Sequence, residues 1–586
     1  MRTIPTFRRL ASWCALVPAL AACAAQSAAP SDVSAAAGKR IEGDAGMVAA
    51  SSPEAAAAGA MILRQGGNAA DAAVAVAFAL SVTDISQTGL GGGGALTYFD
   101  ARARRASHLS FYPRTGSDAA WSEAPGPAAT RGAGRAAAIP GMVAGLLETH
   151  QRFGRLPRAQ VMAPAIRLAR EGFTVTPLLS RTIASARARL ESDSAALALF
   201  IPGGEPLRPG ERLVQPVLAS TLEAIAASGS GAFYEGAAAE RLASKVRAQG
   251  GLIQPEDLRD FPVADAVPLC TEWRGYTVLS APPPMGGATV LQMLQMADAA
   301  GVADAGGLTA RPEAVATLAG VLRAAQADGG WWRGDPAVLG VPARGVASAA
   351  YARERSATLA SRVADTVRAG DPWPHDKDAL PSACAMYPYP SATRSTDTLP
   401  PPGPDQDGGS FTSHLSVVDA DGNAVSATTT VGVLFGSGVY VDGFFLNSSA
   451  ANLDARTRGP NRYTNSTMAP TLILENGAVR LVIGAAGSQY IQPAITQVTL
   501  RILAFGEDPG RAIAAPRIQA APRGRDVEVE PGFTPEVYAA LVARGYRPLS
   551  RVADIQFGGV HGVMVRRDGH RIGIADPRRD GVAVRQ

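Results

Sequence analysis

Three times between residues 412 and 586 the chain runs a β-forming stretch into a tight polar turn and straight out again. Residues 414–419 and 424–431 flank Asp421-Gly422-Asn423, residues 471–474 and 479–483 flank Glu475-Asn476-Gly477, and residues 559–565 and 570–575 flank Arg567-Asp568-Gly569. Asn-Gly and Asp-Gly supply the positive φ that a two-residue hairpin turn demands, so each trio reads as an antiparallel hairpin. The first half of the chain has a different period. Residues 55–63 and 68–80 are dense in alanine on every side. Small side chains permit close approach and alanine costs little helix entropy, so both read as tightly buried helices. Further helices are expected over 139–151, 159–171, 217–228, 286–302 and 340–366, with a strand over 93–100. Sheets mostly from one half and helices mostly from the other predict a layered α/β (α+β) architecture, sheets covered by helices.

The chain's start is read as a targeting segment and left out of the fold. Arg2, Arg8 and Arg9 precede a small, apolar run from Ala11 to Ala22, closed by Leu20-Ala21-Ala22-Cys23. This is a secretory signal, and it resembles a bacterial lipoprotein signal covering residues 1–22, with Cys23 acylated. Ala24 after the cysteine favours, by the same resemblance, sorting to the outer membrane. The expected location is therefore the cell envelope, on the periplasmic side, with acyl chains rather than a helix as the bilayer anchor. Without the three signal arginines the formal charge of +4 falls to +1. That excludes a general nucleic-acid surface, and no nucleic-acid partner is expected. Six scattered histidines show no metal-ligand spacing, so neither metal nor other cofactor is expected. Cys270 and Cys384 could pair in an oxidising compartment, but sequence does not give their separation.

Residues 367–411 are rich in Pro, Asp, Ser, Thr and Gly and read as a linker ending at Thr412. A strand begins abruptly there. A threonine inside a chain is a poor nucleophile. Once the bond before it is cut, its own α-amine, near pKa 7.7, stands beside the hydroxyl and can serve as its base. A cut there would divide the chain into residues 23–411 and 412–586. Amide chemistry also needs an orienting partner and donors for an oxyanion. Thr428 and Thr430, two apart on the return strand, can face Thr412. Gly484-Ala485-Ala486-Gly487-Ser488, between a strand and a helix-like run, offers backbone N–H groups. Ser466 and Thr467 precede a strand and can either meet a ligand or cap a turn. Gly91 to Gly94 lack the Gly-Lys-Ser/Thr of a phosphate loop and mean close backbone packing or a wall cleared of side chains.

Together these residues resemble the γ-glutamyltransferase family of N-terminal-nucleophile hydrolases. The resemblance is carried by Thr412-Ser413-His414, Gly422-Asn423, Thr428-x-Thr430 and Phe435-Gly436. It is carried as well by Gly66-Gly67-Asn68 with Asp71, Gly91 to Gly94, Ala281-Pro282-Pro283-Pro284, Ser466-Thr467, Gly487-Ser488 and Asp576-Pro577-Arg578. It implies a four-layer αββα sandwich built jointly by two autoprocessed subunits of one precursor, a large one over 23–411 and a small catalytic one over 412–586. It also implies an acyl-enzyme passed from a small-molecule amide to water, an amino acid or a peptide. Under the resemblance Thr412 is processing residue and nucleophile, Thr430 its orienting partner, Ala486 and Gly487 the oxyanion pair, and Ser466 and Thr467 the glutamyl-carboxylate binders.

The departures lie in the glutamyl clamp. Gly432 stands where the family has Asn or Glu. Asn452 aligns with its substrate-gripping aspartate, with Asp454 two residues on. Tyr112 aligns with its large-subunit arginine, with Arg114 two residues on. Glutathione-like γ-glutamyl amides are the leading expected substrates. An acylase with a non-glutamyl acyl group, and an inactive binding lipoprotein, are the alternatives.

Overall fold

The computed structural model describes residues 39–123, 133–359, 362–394 and 410–586. The signal segment with Cys23, and most of the polar run just before Thr412, lie outside the described residues.

Two seven-stranded antiparallel sheets form the centre. One runs, edge to edge, through Arg40–Gly43, Arg571–Ala575, Gly559–Val565, Ala478–Ala486, Thr471–Glu475, Tyr276–Ser280 and Leu269–Trp273. The other runs through Val582–Arg585, Met47–Ala50, Ser410–Val418, Ala424–Val433, Gly93–Asp100, Arg105–Ser110 and Ala264–Ala266. All three hairpins expected from the turn signals form, the first in the second sheet and the other two in the first. Each sheet takes strands from both sides of residue 412, so neither half completes a sheet alone.

Helices cover both outer faces. Pro53–Arg64, Ala69–Thr83 and Met142–Phe153 pack on the sheet holding Thr412, around Leu415, Val417 and Val425, and Arg158–Glu171 lies over Ala69–Thr83. Gly287–Ala299 and Ile491–Thr499 pack on the other, around Ile473, Leu481 and Ile483, and Pro312–Trp332 lies against Gly287–Ala299. This is the αββα sandwich. The expectation of one helix over 340–366 is corrected. Among the described residues of that range, helix is confined to Ala343–Val346 and Ala349–Ala357, divided where Ser348 caps the second piece by accepting from the Tyr351 N–H. The 21-residue helix Pro312–Trp332 was not among the expected elements.

Several sequence signatures turn out to be structural. Asn68 and Asp71 form a capping box on the alanine-rich helix, and the Asp71 carboxylate also accepts the Arg155 and Leu156 N–H groups. The four glycines lie where chains touch: a Cβ on Gly92 would stand 2.1 Å from the Thr430 carbonyl oxygen, and one on Gly94 2.6 Å from that of Thr428. Close packing is therefore their reason. His414 sits between the sheets, its ring nitrogens on the hydroxyls of Thr428 and Ser416 at 2.8 and 3.1 Å. Burial, with a smaller push from His561, holds its pKa far below the ordinary range, so the ring is neutral. Gly484 leaves the room it occupies, since a Cβ there would lie 2.2 Å from the imidazole.

Cys270 and Cys384 are joined, with Cα atoms 5.6 Å apart across a separation of 114 residues. The bond ties the arm that leads toward residue 412 to the edge strand Leu269–Trp273.

Candidate active site

Thr412 lies at an irregularity in the hairpin. Phe411 pairs with Gly432 and Ser413 with Thr429, so Thr430 and Val431 together oppose Thr412 alone. A bulge of this kind twists the pair locally and re-aims side chains. It brings the Thr430 hydroxyl onto the carbonyl oxygen of Phe411, to which it donates. The same hydroxyl oxygen accepts the Gly432 N–H at 2.7 Å. The Thr412 hydroxyl oxygen accepts the Gly487 N–H at 3.1 Å. Thr430 and Gly487 thus converge on Thr412 and on the peptide bond before it. Ala486 precedes Gly487 as the last residue of its strand, paired with Gly559. Gly487 itself has φ +125°, and a Cβ would lie 2.8 Å from the Gln556 carbonyl. The turn needs glycine at this position.

A second layer was not among the expected site residues. Arg579, buried, donates through one nitrogen to the Thr412 carbonyl at 3.1 Å and to Gln87 Oε1 at 2.5 Å. Gln87 donates to Asp84 at 2.6 Å, and Ser413, next to Thr412, donates to the other Asp84 oxygen at 2.5 Å. Asp576-Pro577-Arg578 was the available signal, because it delivers Arg579; nothing local singled out Asp84 or Gln87. Burial pushes the Asp84 carboxyl up to about 6, against the Ser413 and Gln87 hydrogen bonds and the charge of Arg579, with Asp580 adding a little in the same direction as burial.

Two pH effects follow from Asp84. The folded state holds its proton more tightly than the unfolded chain, so its stability contribution is complete below about pH 4 and is lost as pH rises through about 6. The ionised form, however, is the one that accepts from both Ser413 and Gln87. Activity that needs this arrangement falls about ten-fold per pH unit below about 6. Asp84→Asn removes that limb of the pH–kcat/KM profile, whereas an unchanged limb assigns the titration to another group.

The expected carboxylate binders Ser466 and Thr467 are both buried. The Ser466 N–H donates to the Pro284 carbonyl at 3.1 Å, and the Gly286 N–H to that of Met468 at 2.9 Å. The Ala281–Pro284 segment and its following glycines therefore back this strip. A Cβ on Gly286 would lie 2.5 Å from the Thr467 carbonyl. Asn452 joins the strip by accepting the Asn465 N–H at 3.0 Å and reaches the buried Tyr112 hydroxyl at 3.4 Å.

The two displaced charges are committed elsewhere. Arg114 donates to Asn461 Oδ1 at 2.5 Å and lies over the Tyr463 ring. Asp454 is gripped by Arg456 through two nitrogens, at 3.0 and 2.6 Å, with both side chains almost fully buried. Burial opposes the Asp454 charge, but Arg456 outweighs it and holds the carboxyl below its usual range. Its negative charge is neutralised internally.

Gly432 has φ +91°, and a Cβ on it would stand 2.2 Å from Ser448 Oγ. Ser448, also absent from the expected set, accepts the Val433 N–H at 3.0 Å in the space where a side chain at 432 would project. Gly432→Asn therefore meets both backbone strain, smaller for asparagine than for most residues, and the contact with Ser448. The substitution is expected to cost about 1–3 kcal/mol as overpacking, with part of the loss recovered in Gly432→Asn/Ser448→Ala. Thermal unfolding checks this, and a single variant as stable as the parent refutes the clash.

A buried threonine, with a backbone donor on its hydroxyl and a second hydroxyl on the preceding carbonyl, in an αββα sandwich, defines an N-terminal-nucleophile type of hydrolase site. The sequence profile of the Gamma-glutamyltranspeptidase family matches residues 55–585. The chain is 34% identical to the Acylase ACY 1 proenzyme of Pseudomonas sp. (strain SE83), over 93% of this chain and 94% of that one. It is 31% identical to the Glutathione hydrolase proenzyme of Bacillus subtilis (strain 168), over 92% of each. Among solved structures, cephalosporin acylase from Bacillus halodurans superposes with a TM-score of 0.80 at 26% identity, over 93% of this chain and 96% of that one. This chain belongs to the γ-glutamyltranspeptidase family. It is an amide hydrolase of the N-terminal-nucleophile class.

Proposed function

We propose that the protein cuts itself between Phe411 and Thr412 and then works as an acylase, hydrolysing amides whose acyl group lacks the α-ammonium of a γ-glutamyl compound. The observation that carries the specificity is the fate of the clamp: Asp454 is neutralised by Arg456, and Gly432 has no side chain and faces Ser448. A zwitterionic head would meet no free carboxylate among these residues. Charge-assisted hydrogen bonds contribute about 1.5–3 kcal/mol each, so losing one weakens binding roughly ten-fold or more.

The contacts around Thr412 support the self-cleavage. The Thr412 hydroxyl adds to the Phe411 carbonyl carbon, and negative charge develops on the oxygen that already accepts from Thr430. Collapse breaks the C–N bond, passes a proton to the departing Thr412 amine and leaves Phe411 as an ester on the Thr412 oxygen. Water then hydrolyses that ester, releasing the new terminus. In turnover the freed amine takes the hydroxyl proton as Thr412 attacks a substrate amide, and the N–H groups of Ala486 and Gly487 serve as the oxyanion donors. The leaving amine takes that proton, and water or another amine accepts the acyl group.

A γ-glutamyl specificity is the second reading, supported by Ser466, Thr467 and Asn452, which line up along one strip, and by the glutathione hydrolase relatives. Hydrolysis of γ-glutamyl-, glutaryl- and acetyl-anilides by processed protein decides between them. Preference for glutaryl or acetyl is the expected result, and a strong preference for γ-glutamyl refutes the altered clamp. We also propose export with acylation of Cys23, which fits Leu20-Ala21-Ala22-Cys23 and the oxidised Cys270–Cys384 pair. Cys23→Ser should then release the protein from the membrane fraction, and unchanged membrane association would refute the anchor.

A further inference from the structure

A cavity of about 740 Å³ adjoins the site, within the range of about 300–1,000 Å³ typical of small-molecule pockets. It meets the residues described above at Thr467 and at Gln489, two positions past Gly487, while Tyr112, Asn452 and Ser466 lie outside its lining. It therefore extends away from the clamp positions.

Its walls have a definite chemistry. Trp331 and Trp332 line it. Trp332 is fixed by an Nε1–H donated to the Gly370 carbonyl at 3.0 Å and by an edge contact with Trp373. Trp331 is backed by Arg456, whose charge Asp454 neutralises. Four arginines, 333, 368, 394 and 523, share the lining with a single acid, Asp371. That acid pairs with Arg394 at 3.4 Å. Neither Arg368 nor Arg523 has an acidic partner among the described residues. Two indoles set at 70° to each other, beside guanidinium groups with no acidic partner among the described residues, suit a planar anion stacked on one ring and met edge-on by the other, with charge-assisted hydrogen bonds to the arginines.

Building on the amide-hydrolase reading, we propose that this cavity holds a flat, carboxylate-bearing group of the substrate, its ring stacked on one of Trp331 and Trp332 and edged by the other, and its acid toward Arg368 and Arg523. The group belongs either to the amine half or to the acyl half of the amide. Two substrate arms distinguish these sources: one acyl group on 4-nitroaniline against the same acyl group on 3-carboxy-4-nitroaniline, and benzoyl against 4-carboxybenzoyl on 4-nitroaniline. Both arginines are exposed, so in one arm the carboxylate should raise kcat/KM about two- to five-fold. The gain should disappear in Arg368→Gln/Arg523→Gln and shrink in high salt. The arm that responds identifies the half of the substrate involved. No gain in either arm, or a gain that survives the double substitution, overturns the proposal.

A binding measurement separates this proposal from the hydrolase reading. Uncut Thr412→Ala protein should bind 5-amino-2-nitrobenzoate with quenching of tryptophan fluorescence, and the two glutamine substitutions should abolish it. Arginine-dependent binding without hydrolysis of any amide by wild-type protein would uphold the cavity and reject the acylase. Hydrolysis without arginine-dependent binding would do the reverse.

Discussion

Thr412→Ala gives a folded chain that stays uncut and hydrolyses no amide. In the proposed mechanism one oxygen serves both self-cleavage and turnover, so both losses should arrive together. In the fold that hydroxyl meets only the Gly487 N–H among its described partners. The thermal midpoint should therefore move little, which separates lost chemistry from lost structure. Thr412→Ser restores the hydroxyl without the methyl and keeps part of both activities. Turnover by the alanine variant after its two halves are expressed separately would place the nucleophile elsewhere.

The largest effect on stability is expected at Asp576. Its carboxylate is fully buried, accepting from Arg517 at 2.7 Å, Arg578 at 3.1 Å and the Val560 N–H at 2.9 Å. Arg578 turns in addition to Glu530. Burial alone would favour the neutral acid, but the two guanidinium groups and the backbone donors outweigh it and hold the carboxyl well below the usual range. Asp576→Ala leaves buried cations without their shared anion. Removing one partner of such a pair costs about 3–5 kcal/mol. The loss should also reach processing, because Arg579, three residues on, donates to the Thr412 carbonyl. Denaturant unfolding checks the first effect and the cut fraction the second. A midpoint unchanged from the parent would mean that the cluster relaxes with little cost.

The sequence was most informative where the backbone itself is constrained. Asn-Gly and Asp-Gly turns marked all three hairpins, because few residues adopt positive φ, and alanine density marked the helices that sit close on the sheet. It was least informative between 340 and 366. There the composition suits a helix, yet local capping by Ser348 and packing against Gly287–Ala299 divide it. Within the site, the legible parts were those set by strand register, Thr412 opposite Thr430, and by the glycine turn at 487. Asp84, Gln87 and Arg579 come from distant stretches and converge only through tertiary contacts, so no spacing announces them. The clamp illustrates a further limit. Sequence marked Asp454 as available, and the buried Arg456 two residues later is what engages it. Likewise Gly432 read as a missing side chain, whereas the fold adds that Ser448 faces the position.

In the proposed function the protein itself breaks the peptide bond before Thr412. Intact mass spectrometry of purified wild-type protein, followed over time, tests it most directly. Two fragments are expected, the smaller beginning at Thr412 with a free threonine amine, and neither should form in Thr412→Ala. A single wild-type chain that persists through long incubation, or a cut at any other bond, would contradict it.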